Sequence, residues 1–282
     1  MALQEQVKDP LRDPVNHDQV IETKEQVDEL FEKTVDDWAR FYNDPKPATL
    51  TAQNLVSRRR FTLEMIEARV AKGAKILDVG CGTGHLAGEL MRRGYQAWGV
   101  DFSAGMVRYA SEHYGADRFQ VGDIEHLPFP DNTFDGIVCL GVMEYLTSDE
   151  PGLREMWRVL KPGATAVITT PSGVCPFYYF DRGMLKARIL ARPLVRLVRK
   201  PLQDFRDLPS VTHRRYVKGP WVKLLRSVGL ETEDWVCHAW GSYGLQRFVD
   251  QGAFCRASER FARNPMVSWL ASDQLACVRA IK

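Results

Sequence analysis

The chain has 282 residues, of which 45% are apolar and 26% charged, with a formal net charge of +2. These proportions suit a globular protein with a sizeable core, and the charge is too small to mark a nucleic-acid binder. The first 20 residues lack the apolar run of a signal peptide, and no stretch reaches the roughly 18 apolar residues that span a bilayer. Six cysteines are scattered without CxxC spacing, so neither a metal site nor disulfides are expected, and a cytoplasmic location is.

In chain order, Pro10 and Pro14 leave the start as a loose arm. Val27, Leu30, Phe31, Val35 and Trp38 recur at spacings of three and four, which predicts a helix over 22–42. Pro45 and Pro47 break the chain, and a second helix is predicted over 51–70. From residue 75 strands and helices alternate. Strands are predicted at 75–79, 97–100, 118–121, 136–140 and 164–169, with helices at 86–93, 106–114 and 151–159 between them. Gly94, Gly115 and the turn Lys161-Pro162-Gly163 punctuate these elements. Strands that are apolar on both faces and alternate with helices indicate a parallel sheet covered by helices, an α/β fold. The regularity lapses after Thr170. It resumes with a helix at 220–227, a strand at 232–238, a polar helix-like insertion at 245–264 and a final strand at 274–281.

The chemistry concentrates in Ile76-Leu77-Asp78-Val79-Gly80-Cys81-Gly82-Thr83-Gly84-His85, where a buried strand turns into a helix. Glycines there let a ligand approach the backbone, at the sheet end that this fold type uses for ligands. The third glycine stands one position early for GxGxxG, and Asp78 would repel a pyrophosphate but suits a ligand carrying an amino group and a sulfonium. Asp101 ends the second strand, where a carboxylate can accept both ribose hydroxyls. Asp123, in Gly122-Asp123-Ile124, follows the third, where it can accept from an adenine amino group. Each aspartate alone could be an ordinary turn or cap residue; three in register with the strand ends argue for a site.

These segments, with Val100-Asp101-Phe102-Ser103, Met106, the run Leu127-Pro128-Phe129-Pro130-Asp131-Asn132-Thr133-Phe134-Asp135 and Arg158-Val159-Leu160-Lys161-Pro162-Gly163, closely resemble the class I methyltransferases. The resemblance is strong over about 72–170. It implies a Rossmann-like, doubly wound sheet of seven strands with the last antiparallel, preceded by an N-terminal arm and helical cap (1–70). The methyltransferase domain would cover 71–282, with lid insertions at about 171–215 and 241–270. It implies S-adenosyl-L-methionine as the cofactor, held by the loop Gly80, Cys81, Gly82 and Gly84, by Asp78, by Asp101 at the ribose, and by Asp123 with Gly122 and Ile124 at the adenine. Phe102 and Met106 would pack beside the adenine, Leu140 and Gly141 would border the sulfonium, and Tyr42 resembles a tyrosine that covers the cofactor.

Methyl transfer needs an acceptor in line with the S–CH3 bond, so positioning supplies much of the rate, and a hydroxyl or ammonium acceptor also needs a base. Glu144, Tyr145, His213, His85 and Tyr216 are the candidate bases; Glu144-Tyr145 stands where many relatives have Glu-His, and His213 is favoured because it precedes the last helix in a segment that often faces the acceptor. The fourth strand leads into Leu140-Gly141-Val142-Met143 rather than the Pro-Pro motif of nucleic-acid amine methylation, so a small-molecule acceptor is expected and nucleic acid is not. Residues 182–200 carry seven basic residues and no acidic one, interleaved with aliphatics. That pattern fits a lid over the acceptor, a peripheral membrane contact of the kind seen in quinone-methylating relatives, or both, and a third reading has the arginines hold an anionic acceptor such as a phosphate or carboxylate. An oxidoreductase using a nucleotide cofactor, and a non-catalytic S-adenosylmethionine binder, are the competing readings.

Overall fold

The structure is a computed structural model and describes residues 24–42, 50–181, 183, 214–240 and 259–282. Seven strands form one sheet: β1 (Lys75–Val79), β2 (Gln96–Asp101), β3 (Phe119–Val121), β4 (Phe134–Cys139), β5 (Leu160–Pro171), β6 (Leu230–His238) and β7 (Asp273–Ala280). Their spatial order is β3-β2-β1-β4-β5-β7-β6. β1 to β5 pair in parallel, whereas β7 lies between β5 and β6 and is antiparallel to both. This is the expected doubly wound sheet with its last strand reversed.

Helices α4 (His85–Arg92), α5 (Ala104–Tyr114), α6 (Glu150–Val159) and α7 (Lys218–Ser227) alternate with the strands. Burial explains why the strands read as continuous apolar runs. Leu77, Val79, Ile137, Cys139, Ala166 and Ile168 pack on one face of the sheet, with Met156 of α6 and Trp221 of α7. Ile76, Val138, Val167 and Leu275 pack on the other, with Leu90 of α4 and Phe61 and Ile66 of α3 (Leu50–Glu67). The Lys161-Pro162-Gly163 turn lies inside β5, where the pairing with β4 jumps from Phe134–Leu160 to Gly136–Thr165. The strand continues through the turn instead of starting after it.

The helix expected over 22–42 is two helices, α1 (Lys24–Lys33) and α2 (Val35–Tyr42). Buried Thr34 separates them, with its hydroxyl donating to the Leu30 carbonyl at 2.8 Å. A threonine bonding back to its own turn competes with the helical ladder and bends the chain. The bend turns Trp38 and Phe41 of α2 onto Met106 of α5. α1 meanwhile lies across the carboxyl ends of the strands, tied down by Glu32. That carboxylate accepts from Ser103 Oγ at 2.9 Å and from the Gly105 N–H at the start of α5.

Candidate functional site

The loop after β1 is built from three glycines with different tasks. Gly80 has φ of +70°, and a Cβ there would stand 2.1 Å from a Val142 methyl, so no other residue fits. Gly82 donates its N–H to Asp101 Oδ2 at 2.7 Å. Gly84 abuts Ala110, Tyr114 and Phe119, where a Cβ would meet the Ala110 methyl at 2.8 Å; it lets α4 close on α5 and β3.

A cleft of about 770 Å³ opens at the carboxyl ends of β1, β2 and β4 and of β3 beside them. Gly80, Gly82, Asp101, Phe102, Met106, Gly122, Asp123, Ile124, Gly141 and Tyr145 all line it, and α1 closes its outer side with Lys24, Val27, Asp28 and Phe31. Asp101 is held in place by its own loops: Oδ2 accepts from Gly82, and Oδ1 accepts from the Ser103 N–H at 3.0 Å. Burial raises its carboxyl above the ordinary value, those N–H groups oppose the rise, and the Asp28 carboxylate adds to it. Asp123 Oδ1 accepts from the Glu125 N–H at 3.0 Å, and Oδ2 receives the Lys24 ammonium at 2.6 Å. Burial pushes Asp123 up, but Lys24 and that N–H outweigh it and hold the carboxyl below its ordinary value.

A second pocket of about 430 Å³ shares Gly80 with the first and is lined by Tyr42, Arg58, Arg59, Asp78, Cys81, His85 and Leu140. Asp78 is only 2% exposed, and its Oδ2 has no hydrogen-bond partner. Burial, and then the Asp101 charge, push its carboxyl up to about 7, against the Ala87 N–H and Arg58. Tyr42 stacks on His85, with ring centroids 5.2 Å apart. His85 Nδ1 meets Thr83 Oγ1 at 2.9 Å, while burial and the Arg59 cation lower the imidazole to about 4, so it is neutral near pH 7.

Glu144 and Tyr145 share one 3-10 turn (Met143–Tyr145), and Tyr145 lines the main cleft. The Tyr145 ring meets Phe31 of α1 edge-on at 5.5 Å in the main cleft. Glu144 Oε2 is buried without a hydrogen bond. Burial raises its carboxyl to about 7, with the Arg58 and Arg215 cations opposing and Asp273 adding to the rise. Tyr216 anchors this turn: its hydroxyl lies 2.8 Å from both the Met143 carbonyl and Asp149 Oδ1, and Arg214 bonds Asp149 at 2.6 Å. His213 and residues 184–200 lie outside the described residues, as does most of the insertion expected at 245–264.

Arg58, Arg215, Asp273 and His238 escape any reading of local sequence. Arg58 lies against Gly141, whose Cβ, if it had one, would stand 2.8 Å from Arg58 Nη1. Asp273 begins β7 opposite His238 at the end of β6, and Asn54 of α3 donates to it. His238 is 1% exposed with neither ring nitrogen bonded, and burial together with Arg58 and Arg60 pushes it down to about 3. The only local hint is the run Arg58-Arg59-Arg60, which looks like any charged helix face. Among the described residues, no group of three or more His, Cys, Asp or Glu is placed to hold a metal, and no helix is long and apolar enough to cross a membrane.

Residues 77–168 match the family model described as "Methyltransferase domain". The chain is 36% identical over 98 residues to a malonyl-[acyl-carrier protein] O-methyltransferase of Pectobacterium atrosepticum, covering 35% of this chain and 39% of that one. It is 38% identical over 121 residues to a ubiquinone/menaquinone biosynthesis C-methyltransferase of Geotalea daltonii, covering 40% and 51%. The chain thus spans at most about half the length of these curated relatives. Among solved structures it resembles the magnesium protoporphyrin IX methyltransferase of Synechocystis with bound SAH, at a TM-score of 0.58 and 15% identity, covering 92% of this chain and 100% of that one. At that identity the likeness speaks for the fold.

Proposed function

We propose that this chain, whose residues 77–168 match the methyltransferase-domain family, transfers a methyl group from S-adenosylmethionine to a small organic acceptor. The observation that carries this reading is the pair of adjoining pockets around Gly80: one edged by Asp101 and Asp123, the other holding the unpartnered Asp78. Bound there, S-adenosylmethionine supplies a methyl group made electrophilic by its sulfonium. Asp101 would accept from the ribose hydroxyls, and Asp123 with the Ile124 backbone would address the adenine, with Phe102 and Met106 lining the same cleft. Gly80 and Gly82 leave the backbone open to the methionine portion. An α-ammonium group suits Asp78, since a cation beside that buried carboxyl would draw it into its charged form. Arg58 and Arg59 suit the α-carboxylate in the same pocket, under the cover of Tyr42.

Glu144 is the residue we assign as proton acceptor, in the role of general base. Its Oε2 is buried without a hydrogen-bond partner and its carboxyl is raised to about 7, which suits taking a proton from a hydroxyl as it is methylated. Buried His85 and hydrogen-bonded Tyr216 are committed to structure, and Tyr145, pushed well above its ordinary value by burial, is a wall of the cleft. O-methylation fits a carboxylate base, and the relatives include both O- and C-methyltransferases. Calorimetric titration with S-adenosylmethionine, S-adenosylhomocysteine and NADH tests the reading. Saturable binding of the first two supports it, and binding of NADH alone overturns it in favour of an oxidoreductase.

A further inference from the structure

α1 does more than roof the cleft. Lys24, Asp28 and Glu32 are spaced by four residues and therefore share one helix face. Two of the three are committed: Lys24 to Asp123 and Glu125, at 2.6 and 2.7 Å, and Glu32 to Ser103 and Gly105. Between these two anchors, Asp28 lines the main cleft, and its Oδ1 is buried without a hydrogen bond. Across the same space stands Asp101, whose carboxyl is raised in part by the Asp28 charge. Two carboxylates, one from the lid helix and one from the floor, thus face one volume, while the nearby ammonium of Lys24 is spent elsewhere.

Such a pair is repulsive until donors come between them. A vicinal diol supplies two O–H donors on adjacent carbons, one for each carboxylate. Resting on the cofactor reading above, we propose that Asp28 is a second acceptor for the ribose hydroxyls, so that the ligand itself joins α1 to the floor of the cleft. The ligand class is a ribonucleoside with free 2′ and 3′ hydroxyls.

The test is calorimetry with S-adenosylhomocysteine and its 2′-deoxy and 3′-deoxy analogues, on wild type, Asp28→Ala and the near-isosteric Asp28→Asn. Glu29→Ala, at an exposed position of the same helix, serves as control. Asp28→Ala should bind S-adenosylhomocysteine about tenfold more weakly, the loss of one hydrogen bond to a charged group. Asp28→Asn should fall between, and Glu29→Ala should match wild type. One deoxy analogue should bind wild type more weakly yet bind wild type and Asp28→Ala alike. Unchanged or tighter binding by Asp28→Ala overturns the proposal, because it leaves only repulsion between the carboxylates. So does an equal loss for all three ligands, which would mark Asp28 as packing for the lid. A wild-type protein that binds none of them overturns the cofactor reading, and this one with it.

Discussion

The two halves of the sheet's carboxyl edge handle their polar groups in opposite ways. At β2 and β3, Asp101 and Asp123 are satisfied by the fold itself, through the N–H groups of Gly82, Ser103 and Glu125 and the Lys24 ammonium. At β4, β6 and β7, Glu144 and His238 bury polar atoms that have no partner, and Asp78 at the end of β1 does the same on the border between the halves. A buried polar atom left unpaired costs about 1–3 kcal/mol, and proteins tolerate that cost most often where chemistry or binding is done. The satisfied half is a preformed seat. On the unsatisfied side the carboxyls of Glu144 and Asp78 are raised to about 7, whereas His238 is held neutral.

The sharpest way to break this contrast is to neutralise Glu144. With any acceptor that the wild type methylates, Glu144→Gln should lower kcat by about 10²–10⁴. The wild-type rate should rise about tenfold per pH unit below 7 and level off above it, because the base must be ionised, and the variant should lose that rise. A wild-type-like pH profile in the variant removes Glu144 from the chemistry. On the satisfied side, Asp101→Ala should weaken S-adenosylhomocysteine binding by about 3 kcal/mol in calorimetry, since it removes a ligand acceptor and frees the Gly82 and Ser103 N–H groups together.

Asp78 tests the border. Its folded carboxyl is raised to about 7 from the ordinary 3.8, so the native state holds the proton more tightly than the unfolded chain does. Its contribution is therefore lost as pH rises from about 4 to 7, and ionised Asp78 destabilises the free protein above that. Asp78→Asn should gain stability relative to wild type on going from pH 5 to pH 8, by on the order of 2 kcal/mol in denaturant titration, while losing ligand affinity. A difference between variant and wild type that does not change with pH would show that Asp78 is not raised. The smallest effect belongs to Lys24→Met, which breaks a half-exposed ion pair. It should cost about 0.5–1 kcal/mol of stability at low salt and nearly nothing at 1 M salt.

Legibility from sequence follows the same division. The central strands announce themselves because β1, β2, β4, β5 and β7 each carry apolar residues that the sheet buries on both faces. The satisfied seat is readable because Gly80, Gly82, Asp101 and Asp123 lie in short segments at strand ends, where position along the chain dictates position in space. The rest depends on contacts between distant segments. Lys24 reaches Asp123 across 99 residues, and Asn54 reaches Asp273 across 219. No local pattern announces that Arg58, on a helix before the sheet, lies against Gly141 at the exit of β4. The break at Thr34 escaped because the apolar spacing runs unbroken from Val27 to Trp38. One hydroxyl bonding its own helical turn produced it, and with it the separate placement of α1 over the cleft.

The place of β7 also sets the order in which the molecule can be completed. Among the described strands, β6 pairs with β7 alone, and β5 has its outer edge covered only by β7. A chain emerging from its N-terminus therefore carries an open edge at β5, and then a stranded β6, until residues 273–280 arrive. Open edges of this kind invite pairing with other chains, and closing so long a loop is slow. A break before β7 would cost two strands rather than one, and would scatter Asp273 and His238, leaving Glu144 without its neighbours on that side.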